Sequence, residues 1–105
     1  MSMELINEPF YVGADLKFLV ELTAPGFDMD DDDFTVTLTG RKVEKVFHKQ
    51  DLVTDGEGHW YCCFNSTEFG PGVIQVILTA YVPDDDFEDG YRTEINKYNL
   101  INVLR

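Results

Sequence analysis

The most apolar run in the chain is Val73 to Val82, read Val-Ile-Gln-Val-Ile-Leu-Thr-Ala-Tyr-Val between Gly72 and Pro83. Its length, its β-branched content and the bounding glycine and proline predict a strand rather than a helix. Directly after it stands Asp84-Asp85-Asp86-Phe87-Glu88-Asp89-Gly90, an acidic turn leading into a second extended segment from Tyr91. Elsewhere apolar and polar residues alternate with a period of two, as in strands with one buried face. Leu16, Phe18, Val20 and Leu22 mark a strand over 16–22; Phe34, Val36 and Leu38, separated by Thr35, Thr37 and Thr39, mark another. Gly40-Arg41-Lys42 reads as a break before a polar edge strand over 43–49. Unbroken, residues 34–49 would extend about 50 Å, well beyond an ordinary strand. Asp55-Gly56-Glu57-Gly58 predicts a turn. The strand after it puts Trp60, Cys62 and Phe64 on one face and His59, Tyr61 and Cys63 on the other. Residues 66–72 read as a loop with a single helical turn, and residues 91–103 as a last strand with a bulge near Lys97-Tyr98-Asn99, or as two shorter strands.

Six to seven short strands with turn signals between them, and no long amphipathic helix, predict an all-β fold: an Ig-like antiparallel β-sandwich over 14–105. Trp60 lacks the flanking cysteines of an antibody domain. Residues 1–13, interrupted by Pro9, read as an N-terminal arm or edge strand. Its Leu5, Ile6, Phe10, Tyr11 and Val12 must dock on the domain itself or on a neighbour.

Charge narrows the partners. Twenty acidic residues against eight basic ones give a net charge of -12 on 105 residues. Such a surface repels nucleic acid and anionic membranes over a Debye length of about 8 Å, so neither is an expected direct partner. Cys62 and Cys63 are neighbours pointing to opposite faces, which predicts two reduced thiols in a protein made in a reducing cytoplasm. With no leader and no apolar run near 20 residues, a soluble protein without an export signal is expected.

The aspartate runs invite a calcium reading. Asp28-x-Asp30-x-Asp32 opens like an EF-hand loop, but Asp33 stands where glycine belongs and Thr39 where glutamate belongs. The turn from Asp84 fails at the same two positions, with Asp89 and Ile95. A different calcium site built from Asp28, Asp30 and Asp32 stays open, against a solvated loop that keeps the protein soluble. Geometry offers another role. If the strands alternate in direction, the loops holding Asp28 and Asp30–Asp33, then Asp51, Asp55 and Glu57, then Asp84–Asp86, Glu88 and Asp89 fall at one end. That end would carry thirteen of the twenty acids. The opposite end would hold Arg41 and Lys42 beside Glu68. This acidic pole, with Asp28, Asp30, Asp32, Asp84, Asp85, Asp86 and Asp89 as its principal residues, depends on a turn at Gly40. Val73, Ile77 and Tyr81 lie on the face of their strand opposite to the core, either covered within the domain or packed on a neighbouring subunit.

Catalysis finds no constellation. His48 and His59 lack metal-ligand spacing, and neither Ser2 nor Ser66 lies in a nucleophile elbow. Consecutive loop aspartates are poor candidates for a buried acid. A non-enzymatic protein without cofactor is expected.

Gly70-Pro71-Gly72 leading into Val73-Ile74-Gln75-Val76, and the run from Pro83 to Glu94, resemble small β-sandwich proteins of phages infecting Bacteroides-type bacteria, the crAss-like phages among them. The order of strand, acidic loop, Thr-alternating strand and Gly-rich turn over most of 14–103 is also similar to the Ig-like N-terminal domain of phage baseplate upper proteins. The resemblance implies a virion structural component made in the host cytoplasm: an auxiliary or decorating capsid protein, or a head-fibre attachment piece. Its partners would be other virion proteins, capsid or tail, in a multi-subunit assembly. A tail or baseplate module is the alternative within that class. Outside it stand an acidic DNA mimic that blocks a host nucleic-acid enzyme, and a sugar-binding module using Tyr11, Tyr61 and Tyr91.

Overall fold

The computed structural model describes residues 2–3 and 10–104, and of residues 2, 3, 10 and 99–104 the backbone alone. Among the described residues nine strands form two sheets: β1 (Ser2–Met3), β2 (Phe10–Tyr11), β3 (Asp15–Glu21), β4 (Phe34–Thr39), β5 (Glu44–His48), β6 (Val53–Thr54), β7 (Trp60–Asn65), β8 (Gly72–Pro83) and β9 (Tyr91–Leu104). One sheet has the order β1-β3-β7-β6, the other β2-β9-β8-β4-β5. These are the A-B-E-D and G-F-C orders of an immunoglobulin sandwich, with β5 as the extra C′ strand of the variable type. The chain is an all-β, Ig-like sandwich.

Alternation explains the core. Leu16, Phe18 and Val20 of β3 lie opposite Phe64, Cys62 and Trp60 of β7. Phe34, Val36 and Leu38 of β4 lie opposite Ala80, Leu78 and Val76 of β8. All but the half-buried Trp60 are enclosed between the sheets. The Trp60 indole reaches across to the Phe34 ring edge-on at 5.9 Å.

Beside the six strands marked by alternation stand β1, β2 and β6, each two residues long and too short to carry a period. The described pieces of residues 1–13 are edge strands, one on each sheet. β1 runs antiparallel to β3 in one sheet, whereas β2 runs parallel to β9 in the other, and the chain returns from β2 to the first sheet as β3. Residue 13 is therefore a corner within the sandwich. Ser66, fully enclosed, ties that corner down: its hydroxyl accepts from Gly13 N at 2.9 Å and donates to Tyr11 O at 3.2 Å.

Strand boundaries move by one residue: the strand expected over 16–22 is Asp15–Glu21, and the edge strand expected over 43–49 begins at Glu44. The edge strand ends at His48 rather than Lys49, where a 3-10 turn (Lys49–Asp51) begins and Asp51 Oδ2 accepts from His48 N at 2.9 Å. The irregularity in β9 falls past Asn99: Gln75 pairs with Asn99 but Ile74 with Ile101, leaving Leu100 as the extra residue. Along the first half of β9, Arg92, Glu94 and Asn96 are half-buried on the side of Val82 and Ala80, and Tyr91, Thr93, Ile95 and Lys97 are exposed on the other. Inward charges of this kind discourage edge-to-edge pairing.

Gly40 makes the turn on which the end-to-end arrangement depends. Its N–H bonds Val43 O at 2.8 Å, and a Cβ there would approach Phe69 Cδ1 to 3.1 Å. Phe69 is itself buried and packed edge-on against Phe64 at 5.4 Å.

Candidate functional site

Because β4 and β5 form a hairpin, the start of β4, the end of β5, the end of β8 and the start of β9 share one end of the sandwich. The start of β7 joins them through the pairing of Trp60 with Val20. The three acidic stretches, 22–33, 49–59 and 84–90, therefore lie together. In antibody variable domains the loops at this end form the antigen site.

Each acidic stretch is shaped by its own carboxylates and by apolar anchors. Phe27 and Met29 are partly buried against the core, Phe27 edge-on to Phe34 at 6.4 Å. That pulls the backbone inward and leaves Asp28, Asp30, Asp31 and Asp33 exposed. Asp28 Oδ1 accepts from Asp30 N and Asp32 Oδ2 from Asp28 N, both at 2.8 Å; Asp33 Oδ1 accepts from Phe34 N at 2.9 Å. In the second stretch Asp55 Oδ1 accepts from Glu57 N at 2.8 Å, and Asp55 Oδ2 meets His59 Nδ1 at 2.7 Å. The Glu57 N–H, with help from His59, holds the Asp55 carboxyl below the usual carboxylate range. In the third, the N–H of Asp86 and then the Arg92 guanidinium do the same for Asp84. Gly90 closes that turn at a φ of 83°, accepting from Asp84 N at 3.0 Å.

Two cations brace this end from inside. Lys49 Nζ donates to Asp30 O at 2.6 Å and Asp32 O at 3.2 Å, and lies 5.3 Å from the Trp60 ring centroid. Arg92 donates to Asp84 Oδ2 at 2.9 Å and Pro25 O at 2.8 Å, linking two of the loops. Both are thereby committed to structure. Among the described residues, Asp30, Asp31, Asp85, Asp86, Glu88 and Asp89 have no ion-pair partner. Phe87 stands among them, 50% exposed. An exposed aromatic inside an acidic run is readable as an anchor, a signal that the count of charges passes over.

A groove of about 500 Å³ opens where this end meets the outer face of the five-stranded sheet. Asp31, Asp32 and Asp33 line one side, Thr35 and His48 the strands beneath, and Tyr81, Pro83, Gly90 and Tyr91 the other side. The Tyr81 and Tyr91 rings meet at 89° with centroids 5.5 Å apart. The structure thus brings Tyr81, read from the strand pattern, beside Asp32, read from the charge pattern. It does not bring Val73 or Ile77 there. Val73 is 49% exposed and pairs with Asn102 toward the far end; Ile77 is half-buried between Thr37 and Lys97. Leu5 and Ile6 lie outside the described residues, and of Phe10 the backbone alone is described, paired with Val103. Tyr11 is 65% exposed on the same short strand.

The calcium trio is not gathered: Asp28 and Asp32 each hold a backbone N–H of their own loop. Among the described residues the one group of His, Cys, Asp and Glu with ligand atoms close together is Asp55, Glu57 and His59, all exposed and all on one turn. With Asp55 already bonded to the turn and to His59, that group offers a metal little beyond Glu57 and one imidazole nitrogen. The tyrosines of the sugar-binding reading are scattered: Tyr61 is on the outer face of the other sheet under Lys17, at 4.6 Å, whereas Tyr91 lies in the groove. The Ser66 hydroxyl is held between backbone groups.

The cysteines divide as their alternation predicts. Cys62 is enclosed, and burial pushes its thiol up to about 12; Cys63 is exposed. A thiol reagent at mildly alkaline pH is expected to modify one cysteine per folded molecule, Cys63, and two after unfolding. Rapid double labelling of native protein, read by mass spectrometry, would contradict the enclosure of Cys62.

Fold and site together define a class: an Ig-like β-sandwich with an acidic loop end in the position that variable domains use for recognition. No protein-family model matches the chain, and neither a curated protein nor a solved structure matches it either. No helix of the described residues is long and apolar enough to cross a membrane.

Proposed function

We propose that the protein is a non-enzymatic assembly module that docks its acidic loop end on a basic surface of a neighbouring protein. One observation carries this reading: three acidic stretches converge at one end while the cations beside them, Lys49 and Arg92, are tied into the loops. The carboxylates left over lack local compensation and favour a positively charged surface, whose complementarity sets register and speeds encounter. Phe87 supplies an apolar contact within that field. The sequence resemblance to phage β-sandwich proteins supports a virion as the assembly, with the chain as an auxiliary capsid protein, a head-fibre attachment piece, or a tail or baseplate module.

Quantitative mass spectrometry of purified particles tests the placement, and retention on those particles across salt tests the docking face. Affinity is expected to fall on the order of tenfold or more as NaCl rises from about 0.05 to about 0.5 M, because screening shortens the reach of the charges. Absence of the chain from particles sinks the virion reading; retention indifferent to salt removes the acidic end as the docking face.

A further inference from the structure

The groove at the acidic end identifies what kind of side chain that partner presents. Its two sides differ in chemistry. Along one, Asp32 and Asp33 each use one oxygen on a backbone N–H, which leaves the other oxygen of each, and both of Asp31, without a hydrogen-bond partner among the described residues. Along the other, the perpendicular contact with Tyr81 fixes the orientation of Tyr91, which remains 40% exposed. Thr35 and His48, opposite each other in β4 and β5, carry hydroxyl and imidazole groups beneath. Gly90, with a φ of 83° and open space where a Cβ would sit, keeps the mouth clear. A groove with unpaired carboxylates on one side and tyrosine on the other fits a planar cation. A guanidinium satisfies both sides together, stacking on an aromatic face while donating two parallel hydrogen bonds to a carboxylate. An ammonium is compact and strongly hydrated, and stacks less well.

We infer that the groove receives an arginine side chain from an extended segment of the partner protein, held between Tyr91 and the carboxylates of Asp31–Asp33. This rests on the docking reading above and adds the residue that the docking face selects. The neighbouring carboxylates of the 84–90 turn attract the basic segment from a distance, and the groove then distinguishes arginine from lysine at contact.

The test uses the isotope-labelled full chain titrated with a hexapeptide alternating glycine and arginine, with lysine and citrulline versions as controls. NMR shifts are expected to centre on Asp31–Asp33, Thr35, Gly90 and the Tyr81 and Tyr91 rings. The arginine peptide should bind several-fold more tightly than the lysine peptide, and the uncharged citrulline peptide should not bind. Tyr91→Ala should weaken arginine binding about five- to tenfold, and Asp31→Asn with Asp33→Asn should act similarly on a folded protein. Replacing Asp85, Asp86 and Glu88 by their amides should reduce arginine and lysine binding equally. Salt-sensitive binding spread over the whole acidic end, equal for lysine and unaffected by Tyr91→Ala, would overturn the groove while leaving the docking face standing. No binding of either basic peptide at low salt would overturn both. Free arginine binding as tightly as the peptide, or concentration-dependent self-association abolished by Arg41→Ala, would overturn a foreign protein segment as the occupant.

Discussion

Phe34→Ala is expected to remove about 3–5 kcal/mol of folding stability, the usual cost of deleting a fully enclosed aromatic ring. Against a total of about 5–15 kcal/mol for a domain, that loss brings the chain close to unfolding. The ring is fully enclosed and joins three parts of the molecule: the Trp60 indole of the other sheet, the Phe27 ring that pins the acidic loop, and Lys49, 5.8 Å above it. The damage should therefore be directional. In urea unfolding the midpoint drops sharply, and in hydrogen exchange the amides of Asp32 and Phe34 lose protection before those of β3. Phe34→Leu, which keeps most of the volume, separates cavity from loop release: its cost is expected to be smaller, with Phe27 still losing its edge-on partner. A loss below about 1 kcal/mol for the alanine variant would mean that the sheets do not close on this ring.

Ser66→Ala is the second large effect, expected at about 1–3 kcal/mol. The size follows from what remains after the hydroxyl is gone. Gly13 N–H would lose the partner held by the enclosed Ser66 side chain, while Tyr11 C=O would keep the Ala14 N–H at 3.2 Å, and an unmade hydrogen bond beside an enclosed side chain costs more than a made one contributes. The substitution should lower the urea midpoint with little change in slope and accelerate exchange at Gly13. Unchanged stability would show that solvent reaches the corner and satisfies the Gly13 N–H.

Strands with one closed face were legible because a period of two leaves no choice of which side chains enter. Phe34, Val36 and Leu38 are buried as their threonine-spaced pattern requires, and so are Ile74, Val76, Leu78, Ala80 and Val82. Single buried residues outside a period were not. Leu52 and Phe69 stand alone in short turns, and Phe27 and Met29 lie in an aspartate run whose charge masks their anchoring role. Two-residue strands such as Val53–Thr54, both exposed, carry no signal at all. Ile95, a large aliphatic side chain, is 64% exposed, because its register opposite Thr79 turns it outward. Among the site residues, Asp32 and Tyr81 were each visible in their own patterns. That they share a groove depends on the Gly40 turn and on the pairing of β4 with β8, segments far apart in sequence. Alternation within one strand does not contain such information. Tyr91 and His48 join the groove for the same reason.

The Lys49 brace has a kinetic meaning. Its ammonium holds the carbonyls of Asp30 and Asp32 from a different segment, so the acidic loop has its shape before any partner arrives. A flexible loop would lose side-chain and backbone freedom on docking, and that loss would be subtracted from the contact energy. Here it is largely met during folding. Recognition at this end then resembles the capture of a charged segment by a rigid edge, with the encounter rate set by the field around it and the lifetime by the fit within it.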